Sequence, residues 1–344
     1  MTTRLDTWED PSPHTSHFVT VNGVRLHYLD WGGSGEPVVL IHGLGDTPHY
    51  FDDLAPAFRD RWRVIAYARR GHGRSEARSP YDADTLAEDL RQLLDSLSLP
   101  TVHLAGWSLG GRELTRFAEL HPARVHTLTY LDGAHDRAEP AWRQVLEIAP
   151  LDLFPEELAL GSLDAYRRWW QATFFADAPW SNAAEAYMRD IVIQQPDGSL
   201  RPATPDGVFG EIAATYVSPP VYRRDYSKIL APALFVFPAT WLPTGLADPE
   251  LRRKAAAWHE HHYRPCRAAA IARLRTELTD VEIVELSGGN HVDFVVSQHA
   301  AVVAAMRAFL TSGSSSATRH RRDRPARAPR REGPGAAPER QGGW

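Results

Sequence analysis

The chain has 344 residues, 43% of them hydrophobic and 24% charged, enough for one large α/β domain with an insertion or for two modest domains. Its single cysteine, Cys266, excludes an intramolecular disulfide. No apolar run approaches the roughly 18 residues of a membrane helix, and the first residues, MTTRLDTWEDPSPHTSHF, lack the apolar core of a signal peptide. A cytoplasmic protein with no membrane partner is expected.

Residues 1–16 are read as an N-terminal extension. "FVTVNGVRLHYLDWG" alternates in hydropathy around Asn22-Gly23, the strongest short signal for a β-hairpin. "EPVVLIHGLGD" is a continuous apolar run ending in glycines, and "RWRVIAYARRGHGRS" repeats that form. Residues 82–97 carry Leu86, Leu90, Leu93, Leu94 and Leu97 on one side of a helix. "TVHLAGW" is another buried-type strand, 108–120 a helix, and "RVHTLTYLDGA" a further strand. This rhythm predicts a mostly parallel sheet with helices on both faces, its first part spanning 17–134.

The rhythm pauses over 135–230, an aromatic, helix-like stretch with Trp142, Trp169, Trp170, Phe174, Phe175, Trp180 and Tyr187. Two turn signals fall in it, Pro196-Asp197-Gly198 and Pro205-Asp206-Gly207. This segment is expected to be a mainly helical cap. The sheet domain resumes over 231–312 with "APALFVFPAT", a helical stretch near 248–278, "VEIVEL" and a last helix near 297–311.

From Gly313 to Trp344 eight Arg stand against three acidic residues, so the rest of the chain carries about −10 of a formal net charge of −5. With so little to bury, 313–344 is expected to be a disordered, solvated tail. Nucleic acid is the less favoured partner for it.

The densest chemical signal is Gly106-Trp107-Ser108-Leu109-Gly110 at a strand-to-helix junction. A serine on such a turn has its oxygen lifted clear of the sheet, with small neighbours where backbones approach closely. The helix that follows aims free N–H groups at the same point. "LIHGLGD" after an earlier strand offers the N–H of Leu44, which with that of Leu109 would form an oxyanion hole.

These motifs, "HGLGD", "RRGHGRS", "GWSLGG" and "GGNHVDF" in that order, resemble the α/β-hydrolase superfamily over about residues 17–312. The resemblance implies an eight-stranded, mostly parallel sheet flanked by helices, and a Ser, acid, His order of catalytic residues. Of 16 histidines, it singles out His291, on the loop before the last helix, as general base. His42 and His72 match structural turn positions. "HEHHY" at 259–263 lacks zinc-helix spacing and reads as a solvated helical face.

The acid has three candidates. Many relatives place it just after the strand that follows the cap, where Asp248 stands eleven residues past Phe237. A minority, among them one subgroup of haloalkane dehalogenases and the fungal zearalenone lactonases, place it after the preceding strand, where this chain has Asp132 in "TYLDGAHD". Asp132 is favoured, with Asp248 and Asp136 as alternatives. Ala68 departs from an aspartate common in relatives, and a changed local salt bridge is expected there.

The resemblance therefore implies a serine hydrolase acting on an ester or lactone of a fairly apolar small molecule, without cofactor or metal. Trp107, Trp169, Trp170, Phe174 and Trp241 are expected to line its substrate site. Alternatives on this fold are a C–C bond hydrolase, a lyase or cyclase, and a ligand receptor that retains the triad.

Overall fold

The computed structural model describes residues 8–150, 159–175, 178 and 180–322. The chain opens as a hairpin of β1 (Thr15–Val21) and β2 (Val24–Gly32), turned by Asn22 and Gly23 at φ 46° and 71°. Both angles suit the tight turn that matches the natural twist of paired strands. β3 (Pro37–Ile41), β4 (Arg63–Tyr67), β5 (Val102–Trp107), β6 (Val125–Leu131), β9 (Ala233–Phe237) and β10 (Val281–Glu285) complete an eight-stranded sheet. The strand order is β1-β2-β4-β3-β5-β6-β9-β10. Only the pairings of β2 with β1 and with β4 are antiparallel.

Continuous apolar strands are what a sheet covered on both faces requires. All six residues of β5 are buried. In β3, Val38 and Leu40 enter one core layer and Val39 and Ile41 the other. α1 (Ala83–Ser96) and α2 (Gly110–Leu120) cover the second layer, with Leu90, Leu93, Leu94, Leu114 and Phe117 turned inward. α1 is opened by Asp82, whose carboxylate accepts the N–H groups of Asp84 and Thr85 at 3.0 and 2.9 Å. Each such fully buried Leu or Phe contributes about 1.5–3 kcal/mol.

Between β6 and β9 run α3 (Pro140–Glu147), α4 (Leu163–Thr173), α5 (Asn182–Asp190), the hairpin β7 (Val192–Gln194) with β8 (Leu200–Pro202), and α6 (Asp206–Ala214). Pro196-Asp197-Gly198 turns that hairpin, as the sequence suggests. Pro205-Asp206-Gly207 instead opens α6: Pro205 is extended at the N-cap, and its fixed φ is also compatible with a helix entry.

After β9, α7 (Pro249–Trp258) and α8 (Arg264–Glu277) are joined through a single π turn, His259–Tyr263. The wider turn buries Tyr263 while His261 and His262 stay exposed. The short α9 (Phe294–Ser297) leads into α10 (His299–Arg322), whose Val302, Met306, Phe309 and Leu310 pack into the first core layer. The helix thus continues past the boundary expected at 313. The stretch 313–322 contains one glycine and no proline, so nothing in it breaks a helix already nucleated. The remainder of the expected tail, 323–344, lies outside the described residues, as do parts of the expected cap at 151–158. Among the described residues no helix is long and apolar enough to cross a membrane.

Candidate active site

Ser108 sits between the last residue of β5 and the first turn of α2, in the left-handed region at φ 52°. A non-glycine residue is held there only when its surroundings impose it. The surroundings are tight. A Cβ on Gly110 would collide with the Ile41 carbonyl oxygen, and one on Gly111 with that of Gly133. A Cβ on Gly43 would lie 2.7 Å from the Trp107 ring. The glycines let α2 begin directly against the ends of β3 and β6, which fixes where the serine oxygen emerges.

His291 lies on the loop between β10 and α9. Its Nε2 is 3.0 Å from Ser108 Oγ, and its Nδ1 is 2.6 Å from Asp132 Oδ2. Its backbone N–H donates to the Trp241 carbonyl at 3.2 Å, while its own carbonyl accepts Trp107 Nε1–H at 3.0 Å. Trp241 stacks on the imidazole with centroids 3.6 Å apart. The ring is thus clamped from the backbone and from one face.

Asp132, the residue after β6, is also left-handed at φ 45°, and its N–H donates to the Val236 carbonyl at 2.8 Å. Burial pushes its carboxyl up to about 6 against the opposing pull of His135 and Arg267. Burial, helped by Arg137, holds the His291 pKa well below the ordinary histidine value, so the ring is neutral and able to accept a proton. Of the other acids, Asp248 caps α7, accepting the Glu250 N–H at 2.9 Å, and Asp136 accepts N–H groups from Ala138 and Arg224 at 3.1 and 3.2 Å. Neither is the partner of His291.

Leu44 lines the cavity in front of Ser108 and Leu109 is the N-cap of α2. Their side chains share one apolar cluster with Tyr81, Val208, Ile212 and Tyr216, which brings the two segments side by side. The cavity measures about 250 Å³. Trp107, Trp169, Trp170, Phe174 and Trp241 all line it. Trp142 does not, being packed instead with Trp241, Trp258 and Tyr263.

The cavity also holds groups whose role no local motif announces. Asp46, within "HGLGD", accepts a hydrogen bond from Tyr187 Oη, and burial pushes its carboxyl up to about 7. Arg137 contributes a positive charge. Behind the cavity wall, and not part of its lining, His135 packs edge-on against Trp142 and Trp241, with Nε2 3.4 Å from Asp132 Oδ1. Of these, Asp46 alone stands in a motif, the glycine-rich turn; the others come together through the fold.

The structural histidines serve the turns. His42 Nε2 accepts the Arg69 N–H at 3.0 Å and Nδ1 donates to the Gly43 carbonyl, while His72 Nδ1 donates to that of Arg70. Beside Ala68, Arg69 pairs with Glu113 and Arg70 with Asp89, at 2.8 and 2.6 Å, all four buried.

Residues 36–189 match the family described as alpha/beta hydrolase fold. Non-heme chloroperoxidase CPO-A1 of Kitasatospora aureofaciens is 44% identical over 104 residues, 30% of this chain and 38% of that protein. A soluble epoxide hydrolase of a Corynebacterium strain is 35% identical over 119 residues, 34% and 41% of the two chains. The matched segment thus spans about two fifths of the length of these curated relatives. The crystal structure of E-2-(acetamidomethylene)succinate hydrolase is similar over 87% of this chain and 99% of its own, with a TM-score of 0.59 at 23% identity, a likeness of fold. Sheet order, the glycine-flanked serine turn and these matches agree: the chain belongs to the α/β-hydrolase superfamily.

Proposed function

We propose that this protein is a serine hydrolase that cleaves a carboxylic ester or lactone of a small, fairly apolar molecule. The observation that carries the reading is the hydrogen-bonded chain Ser108 Oγ, His291 Nε2, His291 Nδ1, Asp132 Oδ2 at 3.0 and 2.6 Å. In the proposed reaction His291 takes the Ser108 proton as the oxygen attacks the substrate carbonyl. The oxyanion is held by the N–H groups of Leu44 and Leu109, each worth about 2.7–4 kcal/mol in the transition state. Asp132 keeps Nδ1 protonated and offsets the imidazolium charge. His291 then protonates the leaving oxygen and activates the water that releases the acyl group.

The aromatic lining of the cavity supports an apolar acyl or alcohol group, and its position under α4 and α5 supports a cap role for the segment between β6 and β9. Serine rather than aspartate at the elbow favours an acyl intermediate over the chemistry of epoxide or haloalkane opening. A fluorophosphonate probe followed by peptide mapping tests the nucleophile, and p-nitrophenyl esters of graded chain length with a macrocyclic lactone test the bond. Labelling at Ser108 is expected, with turnover lost by at least about 10⁴-fold in Ser108→Ala. Hydrolysis that survives that substitution overturns the reading.

A further inference from the structure

Far from the serine in sequence, four side chains that can ligate a metal converge where the N-terminal segment meets the short 3₁₀ turn Pro48–Phe51. They are Asp10, His14, His49 and Asp52, and one donor atom from each lies within 4.8 Å of every other. Three separations define the arrangement. His14 Nε2 is 3.1 Å from Asp10 Oδ2 and 3.5 Å from Asp52 Oδ1, and His49 Nδ1 is 3.7 Å from Asp10 Oδ2. Donors about 2.0–2.1 Å from a tetrahedral zinc ion stand roughly 3.3 Å from one another. The spacing is that of a coordination shell.

The hydrogen bonding points the same way. The His14 side chain is 6% exposed, yet neither ring nitrogen makes a well-directed hydrogen bond among the described residues. Asp52 Oδ1 is likewise buried without a hydrogen-bond donor. The ion pairs that His14 and Asp52 Oδ1 make leave these atoms without a directed hydrogen bond, and an unsatisfied buried polar atom costs about 1–3 kcal/mol, a cost that an ion between them would remove. The second oxygen of each carboxylate is held: Asp10 Oδ1 accepts the Ser12 N–H at 2.9 Å, and Asp52 Oδ2 accepts Ser12 Oγ–H at 3.2 Å. Such outer partners fix the direction in which a ligating oxygen points. His49 Nδ1, now 2.8 Å from Asp52 Oδ2, would exchange that proton for a metal.

We propose that Asp10, His14, His49 and Asp52 bind one divalent ion of the zinc class. The ligand set, two imidazoles and two carboxylates, suits such an ion better than calcium or magnesium, which take oxygen donors. A cavity of about 390 Å³ gives access, and Asp190 borders it with a further negative charge. Two arginines stand at its rim, Arg189 paired with Glu185 at 2.6 Å and Arg74 donating to Ser16 Oγ at 3.2 Å. The ion would fasten the N-terminal segment to the turn that carries Tyr50, whose ring stacks on Trp107 at 3.7 Å and whose hydroxyl donates to the Val292 carbonyl at 3.2 Å. It is a structural site behind the catalytic one.

The test uses tag-free full-length protein stripped with a chelator and titrated with Zn²⁺ by calorimetry, with Co²⁺ absorption reporting tetrahedral geometry. One ion per chain is expected. Affinity should fall at least about 100-fold in His14→Ala and His49→Ala, beyond the 10–100-fold typical of an outer-shell loss. Zinc at a hundredfold above Kd should raise the Tm by roughly 3–5 °C, a gain absent from either variant. Asp10→Asn, at the rim of the fold, is the mildest variant, and a cooperative melt with wild-type near-ultraviolet circular dichroism after chelation shows that binding lost there is not folding lost. Exposed His261 and His262 are the competing surface site. Binding abolished by His261→Ala with His262→Ala and retained in the first set overturns the proposal, as does the absence of stoichiometric binding.

Discussion

Replacing Asp132 by Asn separates the carboxylate's proposed catalytic role from its cost to the fold. Asn tolerates the left-handed backbone at this position, so the loop is expected to keep its course. An amide oxygen can still accept from His291, but the amide cannot stabilise an imidazolium or enforce the tautomer that leaves Nε2 free for Ser108. The expected loss in kcat is about 10⁴-fold. Stability should move the other way. Raising a carboxyl from 3.8 to about 6 means that folding disfavours its ionised form by about 3 kcal/mol. Because the folded value is the higher one, this penalty is fully present above pH 6 and vanishes as the pH falls through 3.8. Asp132→Asn should therefore melt several degrees above the wild type at pH 7, with the gap closing toward pH 4. Calorimetric scans at the two pH values and single-turnover acylation give both readings. Near-native kcat in this variant, with activity lost instead in Asp248→Asn, refutes the assignment.

Other substitutions and conditions probe the neighbouring parts. In the wild type kcat/KM should fall on the acid side near pH 6, since His291 must be neutral and Asp132 ionised, and the two titrate as a pair; an acid limb above pH 7 contradicts the burial argument. Gly110→Ala drives a methyl group into the Ile41 carbonyl, and denaturant unfolding should show a loss of about 3 kcal/mol with weakened probe labelling. Trp169→Ala should widen the cavity and shift preference toward longer acyl chains by roughly 10-fold, read as relative kcat/KM across an ester series, while the shortest ester changes little.

The parts of the site legible in the sequence were those determined locally. Glycines around Ser108 record a close backbone approach within a few residues, and Asn22-Gly23 specifies its own turn. Asp132 against Asp248 could not be separated that way. Both follow apolar strands, and only packing decides that the first meets the imidazole while the second caps α7. The aromatic stretch after β6 posed the same difficulty: Trp169 and Trp170 line the cavity whereas Trp142 packs with Trp258, and no periodicity distinguishes a wall from a core. Pro205-Asp206-Gly207 shows that a turn signature and a helix entry share the same residues. The juxtaposition of His14 with Asp52 was invisible because the two flank a whole hairpin and strand and meet only in the folded molecule.

Asp46 ties the apolar cavity to pH in a way that can be read apart from the triad. Its carboxyl faces Tyr187 Oη at hydrogen-bond range, with the rings of Tyr50 and Tyr166 nearby and the Arg69 guanidinium supplying an opposing charge. Burial outweighs that charge and pushes the acid up to about 7. Below pH 7 the cavity therefore contains a neutral acid that can donate to a substrate oxygen. Above pH 7 it contains a carboxylate, which has no proton to donate and repels a second anion. For a neutral ester KM should rise by up to about tenfold between pH 6.5 and pH 8.5, the size of one hydrogen bond to the substrate, with kcat changing by less than about twofold across that range. For an ester bearing a cationic amine the trend in KM should reverse. Asp46→Asn should flatten both profiles and leave fluorophosphonate labelling of Ser108 intact. The triad's own titration falls on kcat at lower pH, so the two effects separate along different kinetic constants. A KM profile that keeps its inflection near 7 in Asp46→Asn would place the responsible group elsewhere and remove Asp46 from substrate recognition.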